Sequence, residues 1–101
     1  MKKLMLSFPQ KELDAFCHSW NVVEFAVFGS ALRKDFNPES DVDVLVTFAP
    51  GAQIGLFDMA QMQIDLERIC QRPVDLVEKA SLRNPYRRRE ILQTAQVLYE
   101  A

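Results

Sequence analysis

The chain has 101 residues, of which 49% are hydrophobic and 26% charged, and its formal net charge is −2. That length suits a single domain over residues 1–101, and the composition is typical of a globular protein. The weak negative charge offers no basic field for direct nucleic-acid binding, and no stretch approaches the ~20 apolar residues of a membrane span. The isolated Cys17 and Cys70 indicate reduced, buried thiols. We therefore expect a cytoplasmic protein whose partner is neither a membrane nor a nucleic acid.

Hydrophobic periodicity predicts seven elements in which helices and strands alternate. They are a helix over residues 7–20, a strand over 22–29, a short helical turn over 30–35, a strand over 41–48, a helix over 54–71, a strand over 73–78 and a closing helix over 85–101. In the helix over 54–71, apolar residues at helical spacing predict a buried stripe of Leu56, Met59, Met62 (or Ala60), Leu66 and Ile69. This order predicts an α/β (α+β) fold, a small sheet with helices packed against one face.

The first strand ends at Gly29-Ser30, which has the chemistry of a phosphate-binding turn. Glycine lets the backbone approach a phosphate closely, and N–H groups at the start of the following helical turn would point at an anion. The Ser30 hydroxyl adds a further donor. The sequence lacks the Gly-x-x-x-x-Gly-Lys pattern of a P-loop, so this would be a different kind of phosphate site.

Two aspartates, Asp41 and Asp43, interrupt the apolar residues of the second strand. Side chains at i and i+2 of a strand share a face, so the two carboxylates would repel each other and lose hydration. Asp75 interrupts the third strand in the same way. Mg²⁺ binds converging carboxylates together with phosphate oxygens and water. The three aspartates therefore predict a magnesium site that orients a triphosphate.

Gly29-Ser30, ten intervening residues and then Asp41-Val42-Asp43 resemble the signature of the polymerase-β-like nucleotidyltransferases. The short chain and four of its segments are similar to the minimal nucleotidyltransferases that act as antitoxins of HEPN-domain ribonuclease toxins. The segments are FGSALRKDFNPESDVDVLVTF, GLFDMAQMQIDLE, RPVDLV and LRNPYRRREILQTAQVLYEA. The resemblance extends from about residue 8 to the end of the chain. It implies the polymerase-β-like nucleotidyltransferase fold, with a small mixed sheet.

The resemblance also implies a reaction and the residues that carry it out. Such antitoxins transfer AMP from ATP to a tyrosine of the HEPN toxin, and an oligomer formed with the toxin is compatible with this role. Asp41 and Asp43 would hold a pair of Mg²⁺ ions and the triphosphate. Asp75 would assist the metal and accept the proton of the attacking hydroxyl. Gly29 and Ser30 would bind the β- and γ-phosphates. Arg33 would contribute a basic group, although residues 32–34 read Leu-Arg-Lys where many relatives read Ala-Arg-Gly.

Two other functions remain compatible with the sequence. A non-catalytic antitoxin could neutralise its toxin by binding and occlusion, through surface residues such as those of the final helix. Alternatively, the chain could transfer a nucleotide to a small acceptor such as an aminoglycoside, if a partner subunit completed the acceptor pocket. His18, the one histidine in the sequence, falls on the first predicted helix, which argues against a Ser-His-Asp triad.

Overall fold

Helices and strands alternate along the computed structural model, which describes residues 8–29 and 41–101. Its elements are α1 (Gln10–Trp20), β1 (Val22–Phe28), β2 (Val42–Phe48), α2 (Leu56–Cys70), β3 (Val74–Glu78), a 3₁₀ turn (Lys79–Ser81), α3 (Pro85–Thr94) and β4 (Gln96–Glu100). The helical turn predicted over residues 30–35 lies outside the described residues. Among the helices that are described, none combines the length and the apolar character needed to cross a membrane.

The four strands of the described residues form one sheet in the order β3-β2-β1-β4. β1 runs antiparallel to both β2 and β4, whereas β2 and β3 are parallel and are connected through α2. A parallel pair needs such a crossover because its two strands start at the same end of the sheet. This mixed sheet with its helices confirms the predicted α/β (α+β) fold.

Helices cover both faces of the sheet, so the prediction that they pack against one face is wrong. One hydrophobic cluster joins α1 and α2 to alternate strand residues, among them Phe25 and Val44. A second, smaller cluster joins Ile91 of α3 to strand residues that alternate with these, including Ala26 and Leu45. Because β1 and β2 are apolar at consecutive positions, both faces of these central strands must be shielded from water.

The helix predicted over residues 85–101 ends early and is followed by a strand. α3 begins after Asn84, whose side-chain oxygen accepts hydrogen bonds from the backbone N–H groups of Tyr86 (3.0 Å) and Arg87 (3.1 Å). The chain leaves the helix at Ala95, and β4 then pairs with the side of β1 that β2 does not occupy. The closing-helix prediction fails because this pairing depends on a strand that is distant in sequence.

The apolar stripe predicted on α2 is only partly correct. Met62 and Leu66 are buried in the first cluster, and Met59 and Ile69 pack against its margin. Leu56, in contrast, is 88% exposed at the start of the helix. The buried face of α2 therefore begins at Met59, and helical spacing extended the predicted stripe one turn too far.

Candidate functional site

Gly29 and Asp43 lie against each other where β1 ends. Asp43 is the second residue of β2 and is the register partner of Phe28, the last residue of β1. Gly29 follows with φ +68°, a left-handed conformation that glycine adopts at little cost. A Cβ atom added at Gly29 would overlap the Asp43 carboxylate, lying 3.2 Å from its Cγ and closer still to Oδ2. The missing side chain of Gly29 thus makes room for the carboxylate.

Asp43 and Asp75 are neighbours across two parallel strands. They are register partners in the β2–β3 pair, as are the preceding residues, Val42 and Val74. Both valines are buried in the cluster formed with α1 and α2, so strand alternation places the two aspartates on the opposite face. Adjacent strands lie about 4.8 Å apart, so the two negative charges are close enough to repel each other. The structure therefore brings together two of the three aspartates that the sequence singled out.

The other predicted site residues lie at the margin of this pair or outside the described residues. Asp41 is exposed and immediately precedes β2. Ser30 and Arg33 lie outside the described residues, so their placement stays a prediction. In the part of the chain that the structure describes, no group of three or more His, Cys, Asp or Glu side chains is arranged to hold a metal ion. The described geometry supplies a carboxylate pair, to which any further ligands must be added.

The two paired carboxylates differ in their access to solvent. Asp43 is half-buried on a central strand, whereas Asp75 is exposed on a strand at the edge of the sheet. Two residues further along each strand, Leu45 belongs to the hydrophobic cluster that includes Ile91 of α3, and Val77 packs against that cluster. The pair therefore lies between an apolar surface and solvent, at the end of the sheet where β1 ends and β2 and β3 begin.

One peptide group, Pro73–Val74, ties the start of β3 to both β2 and α2. Its carbonyl oxygen accepts a hydrogen bond from the Val42 N–H (2.8 Å), and its N–H donates one to the Glu67 carboxylate (2.9 Å). Val42 lies between the two aspartates of the motif, and Val74 immediately precedes Asp75. Glu67 has no signature in the sequence, because a contact between a helix side chain and a backbone N–H seven residues later follows no residue pattern.

The two cysteines belong to the core rather than to this site. Cys17 and Cys70 are free thiols buried in the α1–α2 cluster, on the face away from the aspartates. Burial raises the pKa of the Cys17 thiol to about 12, and the charge of Asp14 adds to that shift. Burial likewise raises the pKa of Cys70. The prediction of reduced, buried thiols is confirmed, and neither group is available as a nucleophile near neutral pH.

An open cleft lies between α1 and α2, lined by Phe16, Trp20 and Arg68 among others, with a volume of about 540 Å³. Both helices pack on the sheet face opposite Asp43 and Asp75. The sheet therefore separates this cleft from the carboxylates, and the cleft is not part of their site.

Comparisons with known proteins relate the chain to nucleotidyltransferases. The sequence profile of the nucleotidyltransferase domain family matches residues 10–98. "Putative protein adenylyltransferase MJ1379" of Methanocaldococcus jannaschii is 33% identical over 72 residues, which cover 71% of this chain and 72% of that protein. A solved structure described as "Structure of putative minimal nucleotidyltransferase" is 31% identical, with a TM-score of 0.69 and coverage of 86% of each chain.

Another solved structure, of lower sequence identity, is similar in fold alone. It is a toxin-antitoxin crystal structure with AMP-PNP, which is 16% identical and has a TM-score of 0.72 over 91% of this chain and 73% of that one. The family profile and the two relatives above 30% identity confirm the predicted resemblance to minimal nucleotidyltransferases. They also confirm the predicted enzyme class.

Proposed function

Because the chain belongs to the nucleotidyltransferase domain family, we propose that it transfers AMP from ATP to a tyrosine of a HEPN ribonuclease toxin and so neutralises that toxin. The observation that supports this most directly is the register pairing of Asp43 with Asp75 beside Gly29. Like charges directly opposite each other destabilise a sheet unless a cation offsets their repulsion. A cation bound at this end of the sheet would offset that repulsion.

The donor set suits Mg²⁺ bound together with a nucleotide. Mg²⁺ commonly takes one or two protein carboxylates and completes its octahedron with phosphate oxygens and water, so the described pair fits such a site. Asp43 and Asp75 would be ligands, and Asp41 would add a third. When bound, a pair of Mg²⁺ ions would neutralise charge on the triphosphate and orient it for displacement.

In the proposed reaction, the tyrosine oxygen of the toxin attacks the α-phosphorus of ATP. A P–O bond forms to the tyrosine, the bond from the α-phosphorus to the oxygen that bridges to the β-phosphate breaks, and pyrophosphate leaves. The hydroxyl proton passes to the carboxylate of Asp75, which is exposed and therefore accessible to a side chain of another protein. Asp43 is half-buried and lies against Gly29.

The phosphate contacts of the proposal come from the turn after β1. Gly29 and Ser30 would bind the β- and γ-phosphates, and Arg33 would contribute positive charge. The positive φ of Gly29 supports this assignment, because it turns the backbone at the point where Asp43 is adjacent. We place the reaction in the cytoplasm, where ATP and Mg²⁺ are available.

A toxin partner is suggested by the fold that this chain shares with a toxin-antitoxin structure. We propose that the HEPN toxin presents its tyrosine at the exposed Asp75 and stays associated with this chain after transfer. The exposed carboxylate at the sheet edge makes that approach possible without opening the core.

Transfer of label from ATP radiolabelled at the α-phosphate to the protein encoded by the adjacent gene, where the proposal expects a HEPN toxin, tests the proposal. We expect Mg²⁺-dependent labelling that EDTA abolishes. Asp43→Asn keeps the side-chain size and removes the charge, and should lower the rate by about 100-fold or more. The matched control is Asp65→Asn, which removes the same charge from α2, where Asp65 pairs with Arg68 at 2.6 Å. This control should label like the wild type.

An unlabelled toxin, or an Asp43→Asn variant as active as the wild type, would contradict the proposal. If the toxin loses ribonuclease activity without being labelled, binding and occlusion replace catalysis as the explanation. Label transferred by the isolated chain to an aminoglycoside would instead point to a small acceptor.

A further inference from the structure

The connection between α2 and β3 contains a contact that the proposed reaction does not use. α2 ends at Cys70, Gln71 follows in a left-handed conformation (φ 61°), and two further residues lead into β3. Glu67, in the last turn of α2, reaches across this connection. Its Oε2 accepts a hydrogen bond from the Val74 N–H at 2.9 Å, and this contact is part-buried. The first residue of β3 is therefore fixed to the helix that precedes it.

β3 is at the edge of the sheet among the described strands, and the peptide group before Val74 is held from both sides. A trans peptide directs its C=O and its N–H in opposite directions. The Pro73 carbonyl points inward and accepts from the Val42 N–H of β2 at 2.8 Å. The Val74 N–H therefore points away from β2, where no described strand could pair with it. Glu67 supplies the acceptor on that outer side.

We propose that Glu67 is a positioning residue that sets the separation of Asp75 and Asp43 through this peptide. Val74 precedes Asp75, and Asp75 is the register partner of Asp43, so a rotation or shift of Val74 changes the distance between the two carboxylates. Mg²⁺ demands near-ideal octahedral geometry at about 2.0–2.1 Å, so small displacements of its ligands weaken binding. The inference rests on the proposed function, because it requires that the two aspartates bind the cation.

Glu67 lies where it can anchor the backbone of β3 but not where it can bind the metal. Its helix packs on the sheet face opposite the aspartates, where the neighbouring Leu66 and Cys70 are buried. Glu67 therefore acts on Asp75 through the backbone. The structure thus uses a helix packed on the core to hold the start of an edge strand.

Three substitutions at Glu67 separate the effect of its side-chain length from the effect of its negative charge. Glu67→Ala removes the acceptor, Glu67→Gln keeps an acceptor oxygen at the same reach, and Glu67→Asp keeps the charge on a side chain one methylene shorter. Asp65→Ala is the matched control, because it removes a carboxylate from the same helix that bonds to Arg68 and not to β3. The readouts are hydrogen exchange of the Val74 amide without nucleotide, and calorimetric Kd of Mg²⁺ with a saturating non-hydrolysable ATP analogue.

We expect Glu67→Ala and Glu67→Asp to speed exchange at Val74 and to raise the Kd of Mg²⁺ by about 10-fold. Glu67→Gln and Asp65→Ala should stay within about 2-fold of the wild type. Unchanged exchange in Glu67→Ala would overturn the contact, and faster exchange with an unchanged Kd would overturn the positioning role.

Two further outcomes are distinguishable from these. If Glu67→Ala raises hydrogen exchange throughout the core, that variant is destabilised as a whole, and the positioning role is then tested by comparing Glu67→Asp with Glu67→Gln. Equal Kd values of Mg²⁺ for these two variants would overturn the inference. If the wild type binds no Mg²⁺ with the nucleotide, the proposed function fails and the positioning role fails with it, whatever the exchange at Val74.

Discussion

Replacing Gly29 with alanine tests the closest contact in the proposed site. The substitution has two separate costs. Alanine at φ +68° occupies the left-handed region, which costs about 1–2 kcal/mol. Its Cβ would also overlap the Asp43 carboxylate, 3.2 Å from Cγ, so the carboxylate or the main chain must shift. Overpacking of this kind costs about 1–3 kcal/mol.

Gly51→Ala is the matched control for the backbone cost. Gly51 also has a positive φ, +85°, but a Cβ atom there would meet nothing within 4 Å. The free energy of unfolding should therefore fall by about 1–2 kcal/mol in Gly51→Ala and by roughly 2–5 kcal/mol in Gly29→Ala. The difference between the two variants isolates the contact with Asp43.

Urea denaturation followed by circular dichroism measures both costs, and a double-mutant cycle with Asp43→Ala identifies their origin. In the Asp43→Ala background, Gly29→Ala should cost only its backbone component, because the overlapping carboxylate is gone. AMP transfer should be lost in Gly29→Ala and kept in Gly51→Ala. Equal costs for the two glycine variants, or no coupling between positions 29 and 43, would refute the reasoning.

Core burial, thiol ionisation and ligand binding give three further predictions. Met62→Ala should lower the free energy of unfolding by about 2–5 kcal/mol, because Met62 is fully buried. Leu56→Ala, at an 88% exposed position, should change it by less than about 0.5 kcal/mol. Equal effects of the two substitutions in urea denaturation would contradict the assigned buried face of α2. The pKa of Cys17 is raised from 9.0 to about 12 on folding, so its contribution to stability is complete below pH 9 and is lost as the pH rises from 9 toward 12. Cys17→Ala should therefore flatten the decline of unfolding free energy over that range, and an unchanged slope would be evidence against a buried thiol. In a thermal melt, Mg²⁺ and a non-hydrolysable ATP analogue, with the analogue at 100 times its own Kd, should stabilise the wild type by about 2.7 kcal/mol. EDTA should abolish this stabilisation. An equal stabilisation of Asp43→Asn would argue against a role for that carboxylate.

Local patterns predicted the features that depend on short-range geometry. The two-residue period of a strand places Asp43 on the face opposite Val42 and Val44, and their burial in the α1–α2 cluster agrees with that. The motif residues were selected from chemistry and from the family resemblance. Local patterns could not predict that Asp43 and Asp75 are adjacent. Their adjacency depends on the register of two parallel strands, which is fixed by the pairing of Val42 with Val74 in the core.

Long-range packing decided what the sequence left unpredicted. Val97, Leu98 and Tyr99 fit a helix and a strand equally well, and the side of β1 that β2 leaves open makes them a strand. The sequence of α3 does not indicate which face of the sheet this helix covers, because Ile91 is the one buried residue that the structure shows on it. Glu67 was overlooked because its partner is a backbone N–H, which any residue type except proline supplies.

A crystal structure of the protein grown with Mn²⁺ and a non-hydrolysable ATP analogue tests the central claim most directly. Mn²⁺ accepts the oxygen ligands that suit Mg²⁺, and its anomalous scattering locates it without ambiguity. We expect an anomalous peak about 2.1 Å from carboxylate oxygens of both Asp43 and Asp75, with the triphosphate against the turn at Gly29. A nucleotide bound elsewhere, or a metal that contacts neither aspartate, would contradict the claim.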